Sequence, residues 1–405
     1  MSALEKNLLK FMDNSQAIAQ SQSVISNSNL LNHHQVGTDF DSRMMLRCLE
    51  LARQALGRTS PNPMVGAVIV RDGEIIGEGF HPRAGEPHAE VFALRDAQEK
   101  ARGATAYVSL EPCNHYGRTP PCSEALVAAG VGKVVVGMVD PNPLVAGSGI
   151  ARLREAGIEV LVGVEEVACR KLNEGFIHRI LHHRPLGILK YAMTLDGKIA
   201  TTTGHSAWVT SFEARSAVHQ IRVACDAIVV GGNTLRRDNP FLTSHQEGAH
   251  NPLRVVMSRS LDLPLNARLW DTEVAPTLVL TEVGANPNEI AKLRDLGVNV
   301  IEFAALTPDN AMAYFYERGF CNVLWECGGT LAASAIASGA IQKVLAFIAP
   351  KIIGGNNAPT PVGELGFMTM TQALSLERVE VRLVGSDCLV EGYLPSREWG
   401  VGSRE

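Results

Sequence analysis

The pattern of hydrophobic and polar residues becomes regular at about position 41, where it predicts an amphipathic helix that ends at Gly57. Asp41 and Ser42 precede the apolar positions as the predicted helix caps. Two mostly apolar runs, 65–70 and 75–80, then enclose a polar turn and predict a β-hairpin. The apolar residues of the helix recur at helical spacing: Met44, Met45, Cys48, Leu49, Ala52 and Leu56.

Helical and extended patterns alternate from residue 88 to residue 182. This alternation predicts a mainly parallel β-sheet covered by helices. The polar stretch from His182 to Pro185 is typical of a linker, because proline ends a helix. In order, the predicted elements are a helix at 88–101, a strand at 105–111, a helix at 122–129, a strand at 133–138, a helix at 148–156, a strand at 158–162 and a helix at 167–182.

A second alternation begins at Leu186 and predicts another large sheet. Its predicted elements are a strand at 186–193, a helix at 211–224, strands at 227–230, 254–258, 277–281 and 299–303, and a strand at 323–326 followed by an alanine-rich helix. The predicted fold class is α/β, and a length of 405 residues exceeds one typical core. We expect one domain at 41–183 and a second at 184–400.

The first 40 residues differ in composition from the rest, being rich in serine, asparagine and glutamine. We expect a poorly ordered extension at 1–40, with a short partner-binding helix at 4–12 as the alternative. His33 and His34 are interpreted as a solvated pair. A secretory signal needs a basic start and a continuous apolar core, and neither pattern occurs here.

Composition and charge narrow the classes of partner. Hydrophobic residues make up 46% of the chain and charged residues 20%, as in soluble globular proteins. The net charge of −5 disfavours nucleic acid and anionic lipid, and the longest apolar runs fall short of the roughly 20 residues of a membrane helix. Eight scattered cysteines argue against a secreted disulfide scaffold, so we expect a cytoplasmic protein.

The stretch from His88 to Cys122 carries the side chains of a hydrolytic zinc site. His88, Cys113 and Cys122 supply one imidazole and two thiols, which fill three of the four positions around a tetrahedral zinc ion. Zinc lowers the pKa of a water in the fourth position to roughly 7, and Glu90 is placed to act on that water as the catalytic acid and base. The candidates for holding the substrate ring and its substituents are Asn62, His81 and His115.

Other interpretations of these residues stay open at this point. The zinc ligands are alternatively part of a closed structural site or three unrelated buried residues, although a closed site needs four protein ligands. The three ring-binding candidates are alternatively hydrogen-bonded loop residues. A carboxylate such as Glu90 has a chemical role beside an open zinc ion and none beside a closed one, so it favours the catalytic interpretation.

A second candidate site lies late in the chain, where the strand at 323–326 runs into Cys327-Gly328-Gly329-Thr330. A paired-glycine turn at a helix N-terminus offers bare amides to a phosphate or pyrophosphate, and a simple tight turn is the alternative. The fingerprint G-x-G-x-x-G does not occur in the sequence, so a Rossmann nucleotide site is not indicated.

Together these segments resemble the bifunctional deaminase/reductase family of riboflavin biosynthesis. The eight-residue gap between Cys113 and Cys122 matches the family pattern, whereas the generic deaminase signature has a gap of about two residues. The resemblance covers the chain from about 42 to 395. It rests on the segments 60–63, 79–90, 110–122, 140–143, 195–198 and 326–331.

The resemblance implies a cytidine-deaminase-like zinc domain followed by a dihydrofolate-reductase-like domain. The first half would deaminate 2,5-diamino-6-ribosylamino-4(3H)-pyrimidinone 5′-phosphate, here called the diaminopyrimidinone phosphate, and release ammonia. The second half would use NADPH to reduce 5-amino-6-(5-phosphoribosylamino)uracil to the ribityl compound. The implied partners are therefore small pyrimidine ribose phosphates, and we expect a homo-oligomer.

The resemblance also implies residues of the reductase site. Arg222 is expected to grip the ribose phosphate with both arms of its guanidinium, and Trp208 to lie flat against a ring. Lys190 is expected to lie near the sugar carbonyl, and a plain surface lysine is the alternative. The implied NADPH contacts are Met193, Trp208, Thr234, Asp238, Ser258, Gly328 and Gly329. The implied substrate contacts are Ser206, Arg222, Leu242 and Glu326, to which Lys190 is added from its position on the first strand of this unit.

One position departs from the family pattern. The family has an arginine shortly after an Asp-x-Pro-x-Leu-Thr segment, where this chain has His245. Histidine lacks the guanidinium fork, so Arg237 or a neighbouring loop is expected to compensate. Two rival functions remain: a deaminase of another base joined to a different reductase, against which Trp208 and the glycine turn argue, and a zinc-stabilised binding protein without catalysis, against which Glu90 argues.

Overall fold

The computed structural model describes residues 36–116, 120–245 and 250–395, which fold into two successive α/β units. Most of the predicted N-terminal extension, including His33 and His34, lies outside the described residues. Within the described ranges, no helix is long and apolar enough to span a lipid bilayer.

The first unit is built on a five-stranded sheet with the strand order β2-β1-β3-β4-β5. Strand β1 is antiparallel to β2 and β3, whereas β3, β4 and β5 are parallel. The three strands of the predicted alternation, β3, β4 and β5, are therefore parallel as predicted. The hairpin adds β1, which is antiparallel to both of its neighbours, so the whole sheet is mixed. The elements are α1 Asp39–Arg53, β1 Gly66–Arg71, β2 Glu74–Phe80, α2 Ala89–Ala97, β3 Thr105–Val108, α3 Cys122–Ala129, β4 Lys133–Val136, α4 Ser148–Glu155, β5 Glu159–Val162, α5 Glu166–Leu172 and α6 Glu174–His182.

Helix α1 begins earlier than predicted, with Thr38 as its cap. The hydroxyl of Thr38 accepts from the backbone N–H of Asp41, and the Asp41 carboxylate accepts from the backbone N–H of Thr38. The predicted cap Asp41 is thus the third helical residue of a capping box. The helix ends at Arg53, and Gly57 follows in a left-handed conformation with φ of +72°.

The helix predicted at 167–182 is split into α5 and α6 at Asn173. The buried side chain of Asn173 accepts from the backbone N–H of Met64 at 2.8 Å and donates to the carbonyl of Met64 at 2.9 Å. These two bonds tie the end of the first unit to the loop that precedes β1. The interruption of the helix therefore places the side-chain amide of Asn173 where it holds the loop that precedes β1.

The second unit is built on a nine-stranded sheet with the order β10-β9-β8-β7-β11-β6-β12-β14-β13. All neighbours are parallel except β12 with β14 and β14 with β13. The elements are β6 Leu186–Thr194, α7 Phe212–Val223, β7 Ala227–Gly231, α8 Gly232–Asp238, β8 Leu253–Met257, β9 Thr277–Glu282, α9 Pro287–Asp295, β10 Asn299–Phe303, α10 Pro308–Glu317, β11 Asn322–Trp325, α11 Gly329–Ala337, β12 Lys343–Ala349, β13 Glu377–Val384 and β14 Asp387–Tyr393.

Both faces of this parallel sheet are buried, which explains the continuous apolar runs of its strands. Ile228 and Val230 of β7 belong to one hydrophobic cluster, whereas Ala227 and Val229 belong to another. The neighbouring strands β8, β7, β11 and β6 all run in the same direction. Their carboxyl ends therefore meet at one edge, the usual position of a ligand site in such sheets.

Candidate functional site: a metal centre and a sheet-edge cavity

The three predicted zinc ligands come together at the N-termini of two helices. His88 precedes α2 as its cap residue, and Cys122 is the first residue of α3. Cys113 lies in the loop that follows β3. Nδ1 of His88 lies 3.5 Å from Sγ of Cys113 and 3.4 Å from Sγ of Cys122. The three possible ligand atoms all lie within 4.8 Å of one another.

The electrostatics of this cluster suit a cation that prefers sulfur and nitrogen. The side-chain hydrogen bond from Cys122 lowers the pKa of Cys113 to about 4, helped by His88 and by the Cys122 backbone N–H at 3.3 Å. The same contact raises the pKa of Cys122, so the two sulfurs hold one proton that a metal ion displaces. One imidazole and two thiolates form a zinc ligand set that leaves a fourth position open. The residues present therefore fit zinc.

Glu90 lies in the first turn of α2, two residues after His88, and is 3% exposed. Its Oε2 atom has no hydrogen-bond partner among the described residues. Burial, with a smaller contribution from the charge of Cys113, raises the pKa of Glu90 to about 7. A carboxyl group with such a pKa takes up and releases a proton at neutral pH, as general acid–base catalysis requires.

Asn62 and His81 contact each other beside the cluster. Nδ2 of Asn62 lies 3.1 Å from Nε2 of His81, and Nδ1 of His81 lies 3.0 Å from the carbonyl oxygen of Pro87. Because a carbonyl only accepts, Nδ1 carries the ring proton and Nε2 accepts from Asn62. Burial lowers the pKa of His81, which favours the neutral ring. The ring of His81 lies edge-on to that of His88, with centroids 5.4 Å apart.

The third predicted ring-binding residue, His115, is not brought into this group. It is exposed in the loop after Cys113, and residues 117–119 of that loop lie outside the described ranges. Its interaction with a described group is electrostatic, with the carboxylate of Asp140. The role of His115 in binding the substrate stays a prediction.

Glu111, just before Pro112 and Cys113, is a positioning residue to which the sequence interpretation gave no role. Its buried carboxylate accepts backbone N–H groups at 2.9 to 3.3 Å from four residues of the segment after β4: Asp140, Gly147, Gly149 and Ile150. A side chain at Gly149 would come within 1.9 Å of the Pro112 carbonyl. A charged residue at the end of a predicted strand was the available signal.

The second predicted site lies at the carboxyl edge of the nine-stranded sheet, around a cavity of about 830 Å³. The cavity extends from the end of β7 to the glycine turn before α11. Gly328 caps that helix without a side-chain hydrogen bond, so the amides of the turn remain available. The predicted residues that line the cavity are Lys190, Ser206, Arg222, Thr234, Asp238, Leu242, Glu326, Gly328 and Gly329.

A largely buried ionic group occupies one wall of this cavity. Nε and Nη2 of Arg222 donate to the two carboxylate oxygens of Glu326 at 2.7 and 3.1 Å, and Nζ of Lys190 lies 3.4 Å from Oε2. Burial opposes the charge of Glu326, but Arg222 and Lys190 outweigh it and lower its pKa to about 2. Nη1 of Arg222 donates to the carbonyl of Thr243. The guanidinium fork thus holds Glu326. The expected grip of Arg222 on the ribose phosphate stays a prediction.

Three of the predicted NADPH contacts are absent from the described residues that line the cavity: Met193, Trp208 and Ser258. Trp208 is 70% exposed, and the guanidinium of Arg215 lies 4.5 Å from its ring centroid. A cation of its own chain therefore lies over the ring of Trp208. Met193 lies within the β6–β12 ladder opposite Ile348, and Ser258 is buried at the end of β8.

The cations near the sheet edge differ from the predicted set. His245 stacks on His219, with centroids 4.1 Å apart, and lies in a neighbouring cavity. Arg237, the expected replacement, lines the main cavity and forms no hydrogen bond or ion pair with any described residue. Arg259, which the sequence interpretation missed, also lines it. The signal for Arg259 was a cation immediately after the predicted strand at 254–258.

Two family models match the chain: the cytidine and deoxycytidylate deaminase zinc-binding region at residues 38–138, and the RibD C-terminal domain at residues 185–390. The riboflavin biosynthesis protein RibD of a Synechocystis strain is 62% identical over 354 residues, which cover 87% of this chain and 96% of that protein. RibD of Aquifex aeolicus is 42% identical, over 87% of this chain and 98% of that protein.

Two solved structures are also similar to this chain over most of its length. Acinetobacter baumannii RibD, form 1, is 40% identical with a TM-score of 0.78, over 88% of this chain and 99% of that one. A diaminohydroxyphosphoribosylaminopyrimidine deaminase/5-amino-6-(5-phosphoribosylamino)uracil reductase from Thermotoga maritima is 37% identical with a TM-score of 0.77, again over 88% and 99%.

Fold, donor set and cavity define a zinc-dependent deaminase joined to a reductase. The chain belongs to the RibD family and is a bifunctional deaminase/reductase of riboflavin biosynthesis. Its cofactors are zinc in the deaminase half and NADPH in the reductase half. These findings confirm the family, fold class, activities and cofactors expected from the sequence.

Proposed function

We propose that His88, Cys113 and Cys122 hold the catalytic zinc ion and that Glu90 moves the protons of the deamination. The observation that carries this assignment is Oε2 of Glu90, a buried oxygen without a described partner beside three converging ligands. Zinc, when bound, supplies a water of lowered pKa. Glu90 takes a proton from the attacking water and returns one to the departing ammonia.

The substrate of this site is the diaminopyrimidinone phosphate, which matches the activity in the name of the Thermotoga relative. Asn62 donates through Nδ2 to His81, so its Oδ1 is left to accept from an amino or ring N–H group. The half-buried Asn62 beside the buried His81 therefore suits an aromatic ring that carries N–H donors. His115 is assigned to the same substrate, on the family resemblance alone.

In the second unit, the cavity at the sheet edge binds NADPH and the deaminated product. NADPH, when bound, supplies the hydride. The amides of Gly328 and Gly329 bind cofactor phosphate, and the cations of Arg237 and Arg259 bind phosphate groups at the cavity wall. Glu326 holds Lys190 so that its ammonium donates to the oxygen of the sugar carbonyl. Thr234, Asp238, Ser206 and Leu242 complete the wall.

The direct test supplies the diaminopyrimidinone phosphate to zinc-loaded enzyme and follows ammonia release and NADPH absorbance separately. We expect ammonia to be released even when NADPH is omitted. NADPH should be oxidised only after deamination has occurred. Supplying the deaminated compound should give NADPH oxidation without ammonia. Zinc-loaded enzyme that releases no ammonia would overturn the assignment.

The two activities divide between residues 41–183 and 184–400. Support comes from Pro185, which ends the helical region, and from β6, which starts a new sheet at Leu186. Since none of the eight cysteines, all of which lie within the described residues, is paired in a disulfide, a reducing compartment such as the cytoplasm suits the chain. The expected location can be checked by fractionating cells that express the full chain.

A homo-oligomer is expected to form across the exposed edge of the nine-stranded sheet. Strand β13 ends that sheet, and Val379, Val381 and Leu383 on it are 49%, 64% and 78% exposed. An edge strand that exposes a row of apolar side chains is a template for pairing with a second copy. Val381→Asp should lower the mass measured by light scattering, whereas Val283→Asp, at an exposed site before α9, should not. An unchanged mass would contradict this interface.

A further inference from the structure

The turn that carries Asn62 contacts the second unit at several points. The Sγ of Cys321 lies 3.7 Å from the carbonyl oxygen of Pro61. Gly319 faces the ring of Pro61, where a side-chain carbon at 319 would lie 3.6 Å from it. At Gly57 a side chain would lie 2.0 Å from the carbonyl oxygen of Val223. The deaminase turn is therefore packed against the reductase half.

A carboxylate of the second unit connects these contacts. Oδ2 of Asp226, just before β7, accepts the backbone N–H groups of Cys321 and Asn322 at 2.7 and 2.9 Å. The side chain of Ser60 interacts with the same carboxylate and with the Cys321 thiol, and it opposes the rise that burial gives the pKa of both groups. Asp226 thus joins the start of β11 to the deaminase turn, and its two backbone bonds hold it in place.

The turn passes this restraint on to Asn62. The backbone N–H of Asn62 donates to the carbonyl of Thr59 at 2.7 Å, which closes the turn around Ser60 and Pro61. Farther along, Met64 is held by the side chain of Asn173. With both ends held, the amide of Asn62 is directed at Nε2 of His81. Loss of the Ser60 contact would free one end of the turn.

We propose that Asp226 of the reductase half is a positioning residue for deamination, which acts through Ser60 to hold the Asn62 turn in its substrate-binding geometry. The inference rests on the proposed role of Asn62. Asp226 touches neither the zinc ligands nor the substrate ring, so its effect should appear mainly in the KM for the diaminopyrimidinone phosphate.

A double-mutant cycle on the full chain tests the connection, with Ser60→Ala, Asp226→Asn and the double variant. We expect each single variant to raise the KM for ammonia release about threefold to tenfold, the range for one lost hydrogen bond, with a smaller change in kcat. The double variant should be no worse than Asp226→Asn alone. Ser60→Thr keeps the hydroxyl and should restore the KM, and Ser60→Ala should leave NADPH oxidation on the deaminated compound unchanged.

Two results separate the possible failures. Additive effects in the cycle, or a wild-type KM for Ser60→Ala while Asn62→Ala raises it, would overturn the positioning role of Asp226 and leave the proposed site intact. A wild-type KM for Asn62→Ala would instead remove the proposed role of Asn62, and the inference with it.

Discussion

The carboxyl groups of Glu90 and Glu326 are both largely buried, but their pKa values are shifted in opposite directions. Glu90 is 3% exposed, has an unpartnered oxygen, and has a pKa of about 7. The side chain of Glu326 is 10% exposed, but two cations lower its pKa to about 2. The first carboxyl group suits proton transfer, and the second stays ionised to hold its partners.

Glu90→Gln should keep zinc and lose ammonia release. The amide has the shape of the carboxyl group but cannot accept a proton, so we expect kcat for ammonia release to fall about 10²- to 10⁴-fold. Metal analysis of the purified variant and both activity assays check this. Glu99→Gln, at an exposed site after α2, serves as the matched control. Loss of zinc together with activity would make Glu90 a ligand.

Glu326→Gln should impair reduction and leave ammonia release intact, since it leaves two cations without their anion. Removal of one partner from a buried ion pair costs about 3–5 kcal/mol, so the melting temperature should also fall. The lowered pKa means that this stability is present above the ordinary value of 4.5 and is lost as the pH falls towards 2. The difference from wild type should therefore shrink on acidification. Glu302→Gln, at a looser surface pair, is the control.

Among the elements, those with local signals could be predicted from sequence. The hairpin of β1 and β2 follows from two apolar runs around a turn, and helix starts place His88 and Cys122 together. The partners of buried charges could not be predicted, because Arg222 and Lys190 lie 104 and 136 positions from Glu326. Likewise, the family resemblance pointed to Trp208 but could not show that the guanidinium of Arg215 lies over its ring.

The segment between β4 and α4 is expected to depend on Glu111. Glu111→Gln would turn an N–H₂ group towards backbone N–H donors, and each unsatisfied group costs about 1–3 kcal/mol. We expect a lower melting temperature and faster amide hydrogen exchange at Gly147 and Gly149. The control Glu124→Gln breaks a half-exposed pair with Arg152 and leaves the bonds to Gly147 and Gly149 in place, so exchange there should change little. Unchanged exchange in Glu111→Gln would contradict the role of this carboxylate.

In the whole molecule, the two sites are built from separate elements but share a boundary. The zinc ligands come from α2, α3 and the loop after β3, whereas the cavity lies at the ends of β6, β7 and β11. The Asn62 turn and the contacts of Asp226 lie between them. The hydrophobic pattern predicted two units, but it could not show this contact, because Ser60 and Asp226 lie far apart in sequence and neither stands out from its neighbours.

Removal of zinc with a chelator should therefore stop ammonia release while NADPH oxidation on the deaminated compound continues. The core of the first unit is formed by apolar residues such as Met45, Ile69 and Leu126, so the unit should stay folded without the ion and keep its contacts with the reductase half. Ammonia release should return when zinc is added back. Circular dichroism after chelation checks the fold. A parallel loss of NADPH oxidation with an intact fold would show that the reductase site itself needs the metal.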